Sequence, residues 1–302
     1  MSIRKAIVPV AGLGTRLLPT TKAVPKEMLP VGRLPVIHRV VAELHAAGIR
    51  QILFVTSMDK NAIEEHFDHN SALVRRLAAE GNPMLEACRF EFTGLEFTAV
   101  QQTIRPGYNK PAGTSDAVAA GRDFAGDEPF IVAFGDSFIH TEAGQPLLTR
   151  MASSHLTHAA ACTIGAYEVP SELVHHYGIL VPETVGAEDS RLIDVLEKPR
   201  PDQTPSRLAI SARYVFSPEI FAQIDRLLPA SGGEYYLTDA IAALIAAGAL
   251  VRAVRLGPQE NRCDIGNHRA YFEAFIDSAL ADPEYGEHMC AYVRKKLATH
   301  LS

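Results

Sequence analysis

A short basic segment near the amino end carries the residues best suited to chemistry. Gly12 and Gly14 directly follow an apolar stretch, and Arg16 and Lys26 come soon after them. Up to residue 33 the chain has six Lys or Arg and one acid, a local balance of +5 (6 − 1) in a chain of formal net charge −6. Backbone amides at glycines can approach a phosphate closely because no side chain stands in the way. The segment therefore predicts a site for a small polyanion whose charge the cations balance.

The glycine turn differs from the two common glycine-rich phosphate loops. A dinucleotide-binding turn, GxGxxG, needs a third glycine or an alanine where this chain has Leu17. A P-loop needs Gly-Lys-Ser/Thr, which does not follow. A GxG after a strand is by itself more often a tight structural turn, so the prediction of a phosphate site depends on the cations beside it.

Length and composition are those of an ordinary globular chain. The 302 residues are 47% hydrophobic and 21% charged, enough to bury the core of one large domain or two small ones. The net negative charge argues against a nucleic-acid-binding protein, which usually carries a basic surface. The cysteines Cys88, Cys162, Cys263 and Cys290 form no CxxC pair, so we expect neither a zinc site nor a disulfide framework.

Nothing in the sequence predicts attachment to a membrane. Its apolar runs are shorter than the roughly 20 residues that a membrane-spanning helix needs. The amino end passes from two basic residues straight into a strand-and-glycine pattern, without the apolar core of a signal peptide. We therefore expect a protein of the cytoplasm.

Short runs rich in β-branched residues alternate with helical patterns along the first half of the chain. The predicted strands cover 5–11, 51–57, 96–102 and 130–136, and the predicted helices cover 34–49, 60–67, 73–80 and 114–124. This alternation is typical of an α/β protein with a parallel sheet, in which ligands bind at the carboxyl ends of the strands. Further strands are predicted at 160–169, 191–199 and 209–216, either in the same sheet or in a separate lobe, with helices at 218–228, 236–247, 267–281 and 284–298.

Motifs along nearly the whole chain resemble those of one enzyme family. They are AGLGTRLLPTTKAVPKEMLPV (11–31), YGIL (177–180), LEKPRP (196–201), SARYVFSPEIF (211–221), GGEYYLTDAI (232–241) and DIGN (264–267). In this order they resemble the bacterial UTP–glucose-1-phosphate uridylyltransferases, or UDP-glucose pyrophosphorylases, of the sugar nucleotidyltransferase superfamily. The resemblance implies a Rossmann-like nucleotide-diphospho-sugar transferase fold, in which helices flank a mixed, mainly parallel sheet with a small sugar-side β insertion.

The predicted domain organisation follows from this likeness and from the helical pattern at the carboxyl end. Residues 1–281 would form the nucleotidyltransferase catalytic domain, with a nucleotide-binding half up to about residue 140 and a sugar-binding half after it. Residues 282–302 would form a C-terminal helical arm. Members of the family often form dimers or tetramers, so we expect a homodimer or a homotetramer.

The implied reaction is Mg²⁺-dependent nucleotidyl transfer from UTP to α-D-glucose 1-phosphate, which gives UDP-glucose and pyrophosphate. The partners would be a nucleoside triphosphate and a sugar 1-phosphate, with neither nucleic acid nor membrane involved. Such transfer needs positioning and charge neutralisation more than a protein base. Two alternatives are the same reaction with dTTP, GTP or CTP or with another sugar 1-phosphate, and a non-catalytic paralogue that binds nucleotide sugars as a regulator.

The resemblance assigns the nucleotide, the reacting phosphates and the metal to the following residues. The nucleotide would be bound by Ala11, Gly12, Leu13, Gly14, Thr15, Gln102 and Gly113. Arg16, Lys26 and Asp136 would be catalytic, the two cations on the phosphates and Asp136 on the metal. Asp264 would be the second ligand of Mg²⁺, which prefers carboxylates and substrate phosphates. The simpler alternatives are a strand-end turn for Asp136 and a helix N-cap for Asp264.

The resemblance places the sugar phosphate on the second half of the chain. The implied residues are Gly178, Glu197, Lys198, Glu234 and Thr238. Glu197 and Lys198 are adjacent, so on a regular strand they would point to opposite faces unless Pro199 or a bulge turns them together. A solvated ion pair is the alternative for these two residues, and helix capping is the alternative for Thr238. Arg213 is a further candidate.

Both ends of the expected site depart from the family pattern. The segment 102–118 differs in length and chemistry from the usual base-binding segment. It adds three side chains whose hydrogen bonds could accept guanine or another base, Lys110, Ser115 and Asp116. In the metal loop, FGDSF, Ser137 replaces a second acid, and Ala212 stands where the family often has glycine, which would narrow the space near the sugar. The identities of the base and of the sugar therefore stay open at this point.

Overall fold

The computed structural model describes residues 2–57, 61–88, 92, 94–102, 104, 108, 112–227 and 233–300. Its strands are β1 (Lys5–Pro9), β2 (Pro30–Val31), β3 (Leu34–Pro35), β4 (Gln51–Thr56), β5 (Glu96–Gln101), β6 (Phe130–Ala133), β7 (Ser137–Thr141), β8 (Cys162–Glu168), β9 (Gly178–Pro182), β10 (Asp189–Glu197), β11 (Leu208–Phe216), β12 (Val251–Arg255) and β13 (Glu260–Asp264). Its α-helices are α1 (Val36–Ala46), α2 (Asn61–Phe67), α3 (Ala72–Ala79), α4 (Thr114–Ala119), α5 (Arg122–Ala125), α6 (Leu147–His158), α7 (Ile220–Ile224), α8 (Leu237–Ala246), α9 (His268–Leu280) and α10 (Gly286–His300).

One mixed sheet of nine strands organises the molecule, in the order β5-β4-β1-β6-β11-β8-β12-β10-β9. The neighbours from β5 to β6 are parallel, as are β8 and β12, whereas β10 and β11 are antiparallel to the strands on both sides of them. Apart from β10 and β11, the strands of this sheet thus run in one direction, which confirms the mainly parallel α/β prediction. The parallel strands read as continuous apolar runs because helices cover both of their faces.

The strands of the second half extend the same sheet. The sequence had left open whether they would do so or would form a separate lobe. β8 and β11 lie in its middle, and β9 and β10 form its antiparallel edge. The expected sugar-side β insertion is therefore continuous with the main sheet. Two small pairs stand apart from it, β2 with β3 and β7 with β13.

Helices cover the two faces of the sheet and bury two apolar clusters. On one face α1 buries Val36, Ile37, Val40, Val41 and Leu44, the three-and-four spacing of an amphipathic helix, and α6 packs into the same cluster. On the other face lie α4, α5, α7 and α8. Each fully buried Leu, Val or Ile contributes about 1.5–3 kcal/mol. These clusters fix the strand ends that carry the site.

Several predicted elements differ from the structure in extent. The strand predicted at 130–136 ends at Ala133, and the chain turns at Gly135 before β7 begins. The helix predicted at 114–124 is broken at Gly121, where a Cβ would come within 2.3 Å of Ile7 Cδ1. The strands β7, β9, β12 and β13 and the helix α6 were not among the predicted elements.

The carboxyl end forms α10, which packs on α9 and is largely exposed. Arg33 holds the start of this segment, with Nε donating to Asp282 at 2.7 Å and Nη2 donating to Glu284 at 2.8 Å. The division into a catalytic domain and a C-terminal arm stays a prediction, as does the boundary near residue 140. In the part of the chain that the structure covers, no helix has the length and apolar character needed to cross a bilayer.

Candidate active site

A cleft of about 800 Å³ opens at the carboxyl ends of the central strands. Of the predicted site residues, its walls include Arg16, Asp136, Gly178, Glu197, Lys198, Glu234, Thr238 and Asp264. Arg16, the residues that follow β6, and residues of β10, β11, β13 and α8 therefore meet at one place. The cleft is large enough for a nucleotide and a sugar phosphate, since ligand sites commonly measure about 300–1,000 Å³.

The glycine turn after β1 packs against the lysine predicted to act on the phosphates. Gly14 has a φ of +65°, the left-handed region that favours glycine, and its carbonyl accepts a hydrogen bond from Thr21 Oγ1 at 2.8 Å. A Cβ at Gly12 would lie 3.4 Å from Nζ of Lys26, so a side chain there would crowd the ammonium group. Three short 3₁₀ turns, Thr15–Leu17, Thr20–Lys22 and Lys26–Met28, then carry the cations.

Lys26 forms an ion pair with Asp136, which lies on the wall of the cleft. Nζ donates to Oδ2 at 2.6 Å, and the side chains are 16% and 22% exposed. Burial alone would lower the pKa of Lys26, but Asp136 and Glu27 outweigh it and hold this pKa above its ordinary value. Burial would likewise raise the pKa of Asp136, but Lys26 and then Arg262 lower it overall. Both groups therefore stay charged at neutral pH.

Backbone contacts hold Asp136 at the end of the first parallel strands. Gly135 N donates to Pro9 O at 3.4 Å, and a Cβ at Gly135 would come within 2.6 Å of Val10 Cγ1. On the other side, Ile265 N donates to Asp136 O at 3.2 Å. The Asp136 turn thus joins β1 to the loop that follows β13.

Asp264 faces the same cleft and is not the cap of α9. Asn267 is the N-cap, with its side-chain oxygen accepting from Ala270 N at 3.0 Å. Asp264 instead accepts from Arg262 Nη2 at 2.6 Å and from Gly266 N at 2.5 Å. Burial would lower the pKa of Arg262, but Asp264 outweighs it and raises this pKa. The helix-capping alternative for Asp264 is therefore wrong.

Asp136 and Asp264 fit a magnesium site by their chemistry and placement. The β7–β13 ladder pairs Asp264 with Ser137, directly beside Asp136. In the described ranges no group of three or more His, Cys, Asp or Glu side chains is arranged to hold a metal. Two carboxylates completed by substrate phosphates and water would be the usual ligand set for Mg²⁺.

The predicted sugar residues on the cleft wall form a side-chain network. Thr238 donates to Oε2 of Glu197 at 2.8 Å, and Lys198 Nζ lies 3.3 Å from its Oε1. Lys198 has a φ of +46°, which turns its side chain to the same wall as Glu197. Glu197 and Lys198 can therefore line the same wall although they are neighbours in the chain. Tyr236 caps α8 through its backbone, so Thr238 is not the N-cap.

Tyr236 completes this network. The Lys198 ammonium lies 4.9 Å from the centre of the Tyr236 ring, a cation–π distance. The hydrogen bond with Glu234, together with burial, raises the pKa of the Tyr236 hydroxyl to about 12. Tyr236 lines the cleft with Glu234. Sequence reasoning missed Tyr236, although its place two residues after Glu234 could have suggested it.

Gly178 lies where the network is most tightly packed. A Cβ there would come within 2.7 Å of Ile210 Cδ1, 2.8 Å of Thr238 Cγ2 and 3.5 Å of Glu197 Oε2. Glycine at this position therefore allows close packing of the neighbouring side chains. A larger residue at this position would force Ile210 and Thr238 to move, and Thr238 is the residue that donates to Glu197.

The predicted base-binding residues lie beside the cleft. Gln102 Nε2 donates to Gly113 O at 3.3 Å. Gly113 has a φ of +121°, and a Cβ there would come within 2.6 Å of Tyr235 O, so glycine allows close packing on the segment that leads to α8. Ser115 and Asp116 are buried in the first turn of α4. Lys110 lies outside the described residues.

Arg213 is not a sugar-site residue, which corrects that prediction. Its side chain is fully buried and binds Glu43 of α1, so it lies behind the cleft wall. Its neighbour Ala212 does line the cleft, with a φ of +63° that is unusual for alanine. Arg262, also on the wall, was missed because a single arginine in a short strand carries no pattern of its own.

Comparison with known proteins identifies the family. The nucleotidyl transferase family profile matches residues 5–279. UTP–glucose-1-phosphate uridylyltransferase 1 of Streptococcus pyogenes serotype M1 is 38% identical over 298 residues, which cover 97% of this chain and 94% of that protein. The UTP-bound UGPase of Acinetobacter baumannii superposes with a TM-score of 0.84 at 32% identity, covering 96% of this chain and 98% of that one. A UDP-glucose pyrophosphorylase complexed with UDP-glucose superposes with a TM-score of 0.77 at 28% identity, covering 97% of this chain and 99% of that one. This chain therefore belongs to the nucleotidyl transferase family of enzymes.

Proposed function

We propose that this protein transfers the uridylyl group of UTP to α-D-glucose 1-phosphate in a Mg²⁺-dependent reaction that releases UDP-glucose and pyrophosphate. One observation carries the proposal: Asp136, on the wall of the cleft, forms a 2.6 Å ion pair with Lys26, and the same cleft is lined by Glu197 and Lys198. A cation for phosphates, an acid for a metal and a polar pocket for a sugar then face one space. The uridylyltransferases and UGPases that resemble the chain over nearly its whole length support UTP and glucose 1-phosphate as the substrates.

The chemistry needs charge and alignment from the protein. An oxygen of the sugar phosphate attacks the α-phosphorus of the triphosphate, a new P–O bond forms, and the bond to the β-phosphate breaks with its electron pair leaving on pyrophosphate. The attacking phosphate is already ionised at neutral pH, so no protein base has to remove a proton. Lys26 and Arg16 balance the charge of the crowded phosphates, and the glycine turn from Ala11 to Thr15 offers backbone amides.

The two acids of the cleft would hold the metal. Asp136 and Asp264 are its ligands in this proposal; Lys26 lowers the pKa of Asp136, and Arg262 donates a hydrogen bond to Asp264. When bound, Mg²⁺ supplies Lewis-acid stabilisation of the charge on the triphosphate.

The sugar wall would orient the acceptor. Glu197, held by Thr238, accepts hydrogen bonds from sugar hydroxyls, and Lys198 binds the phosphate of the sugar. Glu234 and Gly178 shape the remaining wall. At the base end, Gln102 offers both a donor and an acceptor to the uracil edge.

The test is a grid of reactions followed by pyrophosphate release. The purified protein is incubated with Mg²⁺, each of UTP, dTTP, GTP and CTP, and several sugar 1-phosphates. We expect the highest kcat/KM with UTP and glucose 1-phosphate, and loss of activity with EDTA. A higher kcat/KM with another pair would favour the same reaction on another substrate, as the unusual segment 102–118 allows. Nucleotide binding without turnover on every sugar phosphate would favour the non-catalytic regulator.

The location in the cytoplasm and the assembly into a homodimer or homotetramer remain predictions. The exposed apolar side chains of α9, Phe272, Phe275 and Ile276, are consistent with a surface shared between copies. Light scattering of the purified protein would measure its mass in solution.

A further inference from the structure

A buried ion pair lies directly behind the turn that carries Asp136. Arg213 of β11 is fully buried, and the side chain of Glu43 on α1 is 8% exposed. Arg213 Nε donates to Oε1 of Glu43 at 2.9 Å, and Nη2 donates to Oε2 at 2.8 Å. The contact is bidentate, a geometry that fixes the orientation of both groups as well as attracting them.

The other hydrogen bonds of Arg213 reach the backbone on both sides of Asp136. Nη2 donates to Ser137 O at 2.7 Å, and Nη1 donates to Phe134 O at 3.4 Å. Phe134 and Ser137 bracket the two residues of the turn, Gly135 and Asp136. One guanidinium therefore binds the turn at its entry and at its exit.

Glu43 and Ala212 extend the same contacts to the neighbouring strands. Oε2 of Glu43 also accepts from Ile139 N at 3.1 Å, so the carboxylate holds β7 directly. Ala212 O accepts from Arg213 Nη1 at 3.1 Å and from Phe134 N at 3.2 Å. Ala212 lies where the pairing of β11 with β8 shifts register, and it forms part of the cleft wall. The pair thus joins the Asp136 turn to that wall.

We propose that Arg213, held by Glu43, is a positioning residue for nucleotidyl transfer. It fixes the turn at 134–137, and with it the carboxylate of Asp136, relative to the cleft wall at Ala212. Arg213 acts through Asp136 and touches no reactant. This inference rests on the proposed function, since it gives the Asp136 carboxylate a place in the reaction.

The energetics of buried ion pairs separate this role from a purely structural one. The cost of removing two charges from water largely offsets their attraction, so replacing a whole buried pair by apolar residues often leaves a protein as stable as before. Replacing Arg213 and Glu43 together therefore tests positioning without leaving a lone buried charge. Lysine cannot reproduce the planar fork of arginine, so Arg213→Lys keeps the charge and loses the simultaneous contacts.

The experiment compares the wild type with R213M/E43L, with R213K and with the control R252M/D189L. The control removes a partly buried ion pair, with Arg252 Nη2 2.8 Å from Asp189 Oδ1, that joins β12 to β10 outside the cleft lining. For R213M/E43L we expect a melting temperature near that of the wild type and a kcat about 10²-fold lower, because small displacements of a catalytic group cost this much. The KM for UTP should change little. The control should keep the wild-type kcat.

Amide hydrogen exchange gives a second readout that does not depend on turnover. Exchange at 135–137 should be faster in R213M/E43L and in R213K, and unchanged in the control. The inference would be overturned by a folded R213M/E43L variant that keeps both the wild-type kcat and the wild-type exchange rates. If the double variant does not fold, the same result in R213K would overturn it. Absence of activity in the wild type would overturn the proposed function instead, and the exchange rates would still measure whether Arg213 fixes the turn.

Discussion

The two ends of the cleft are held in place by different means. Where we propose that the phosphates bind, backbone hydrogen bonds from Gly135 and Ile265 and the buried guanidinium of Arg213 hold the Asp136 turn, and Lys26 forms an ion pair with the Asp136 carboxylate. At the sugar end, side chains bind each other: Thr238 with Glu197, and Lys198 with both Glu197 and Tyr236. The acid proposed to bind the metal thus has a single ion-pair partner among the described residues, whereas the acid proposed to bind the sugar belongs to a network of side chains. Single substitutions should therefore be severe at the first and graded at the second.

Replacing Lys26 or Asp136 should have the largest effect. Lys26→Ala leaves Asp136 without its cation and the phosphates without theirs, and Asp136→Ala removes the proposed metal ligand. We expect kcat to fall about 10³-fold for each, since a preorganised charge at a transition state is worth about this much. Pyrophosphate release measures kcat, and circular dichroism checks the fold. Lys295→Ala, at an exposed position of α10, is the control, and near-normal rates in the two site variants would remove the pair from the mechanism.

Glu197→Gln should weaken the binding of the sugar phosphate and leave the binding of UTP unchanged. The amide keeps the shape of the side chain but loses the charge that Thr238 and Lys198 bind. Charge-assisted hydrogen bonds are worth about 1.5–3 kcal/mol, so the KM for glucose 1-phosphate should rise about 10- to 100-fold. The KM for UTP should stay the same in steady-state assays. Glu188→Gln, exposed just before β10, serves as the control, and an equal rise in both KM values would contradict the separation of the two ends.

The packing of α6 on the sheet should weaken in acid. His155 of α6 is buried between Thr163 and Ser217, with ring nitrogens 3.2 Å from both hydroxyls, and burial lowers its pKa from 6.5 to about 4. Protonation therefore favours the unfolded chain, so this contribution is complete above pH 6.5 and is lost as the pH falls towards 4. Between pH 7.5 and 5 the loss amounts to about 2 kcal/mol.

The matched variants are His155→Gln and His158→Gln, the second at an exposed position of the same helix. Urea unfolding at pH 7.5 and pH 5 should show a free energy of unfolding that falls by about 2 kcal/mol less in His155→Gln than in the wild type. The His158 variant should follow the wild type. Equal pH dependence in all three proteins would mean that His155 titrates normally.

The smallest expected effect concerns the wall between the two ends. Ala212 has a φ of +63°, so Ala212→Gly should relieve about 1 kcal/mol of backbone strain and raise the free energy of unfolding. Ala209→Gly in the same strand, where the φ is not positive, should instead lower it by about 0.5–1 kcal/mol or more. Chemical denaturation measures both. A loss of stability in Ala212→Gly would show that the methyl group contributes more by packing than it costs in strain.

The structure brings eight of the predicted site residues to one cleft, whereas several strands around it were not predicted. The strands β1, β4 and β6 were predicted because burial on both faces makes them continuous apolar runs, whereas the largely exposed β5 was predicted from its β-branched and aromatic residues. β12 was missed because Arg252 and Arg255 interrupt its apolar pattern; the structure pairs them with Asp189 and Glu168. β9 is only five residues long, so its sequence was quoted as part of the YGIL motif and was not predicted as a strand.

The role of Arg213 could not be read from the sequence. Its partner Glu43 lies on a helix 170 positions earlier, and only packing brings them together. The orientation of the Lys198 side chain was even harder to predict. It depends on a left-handed backbone conformation that is rare outside glycine. Motifs therefore predicted residues that line the cleft, and tertiary contacts decided how each one is held.

The pairing of β7 with β13 has a consequence for how this protein tolerates changes in length. Asp264 sits opposite Ser137 in an antiparallel ladder, so hydrogen-bond register sets the spacing of the two acids. Loops within the intervening residues 142–259 can gain or lose residues while that spacing persists. Inserting a single residue into either strand would rotate Asp264 to the far face of the ladder and disable the enzyme without unfolding it.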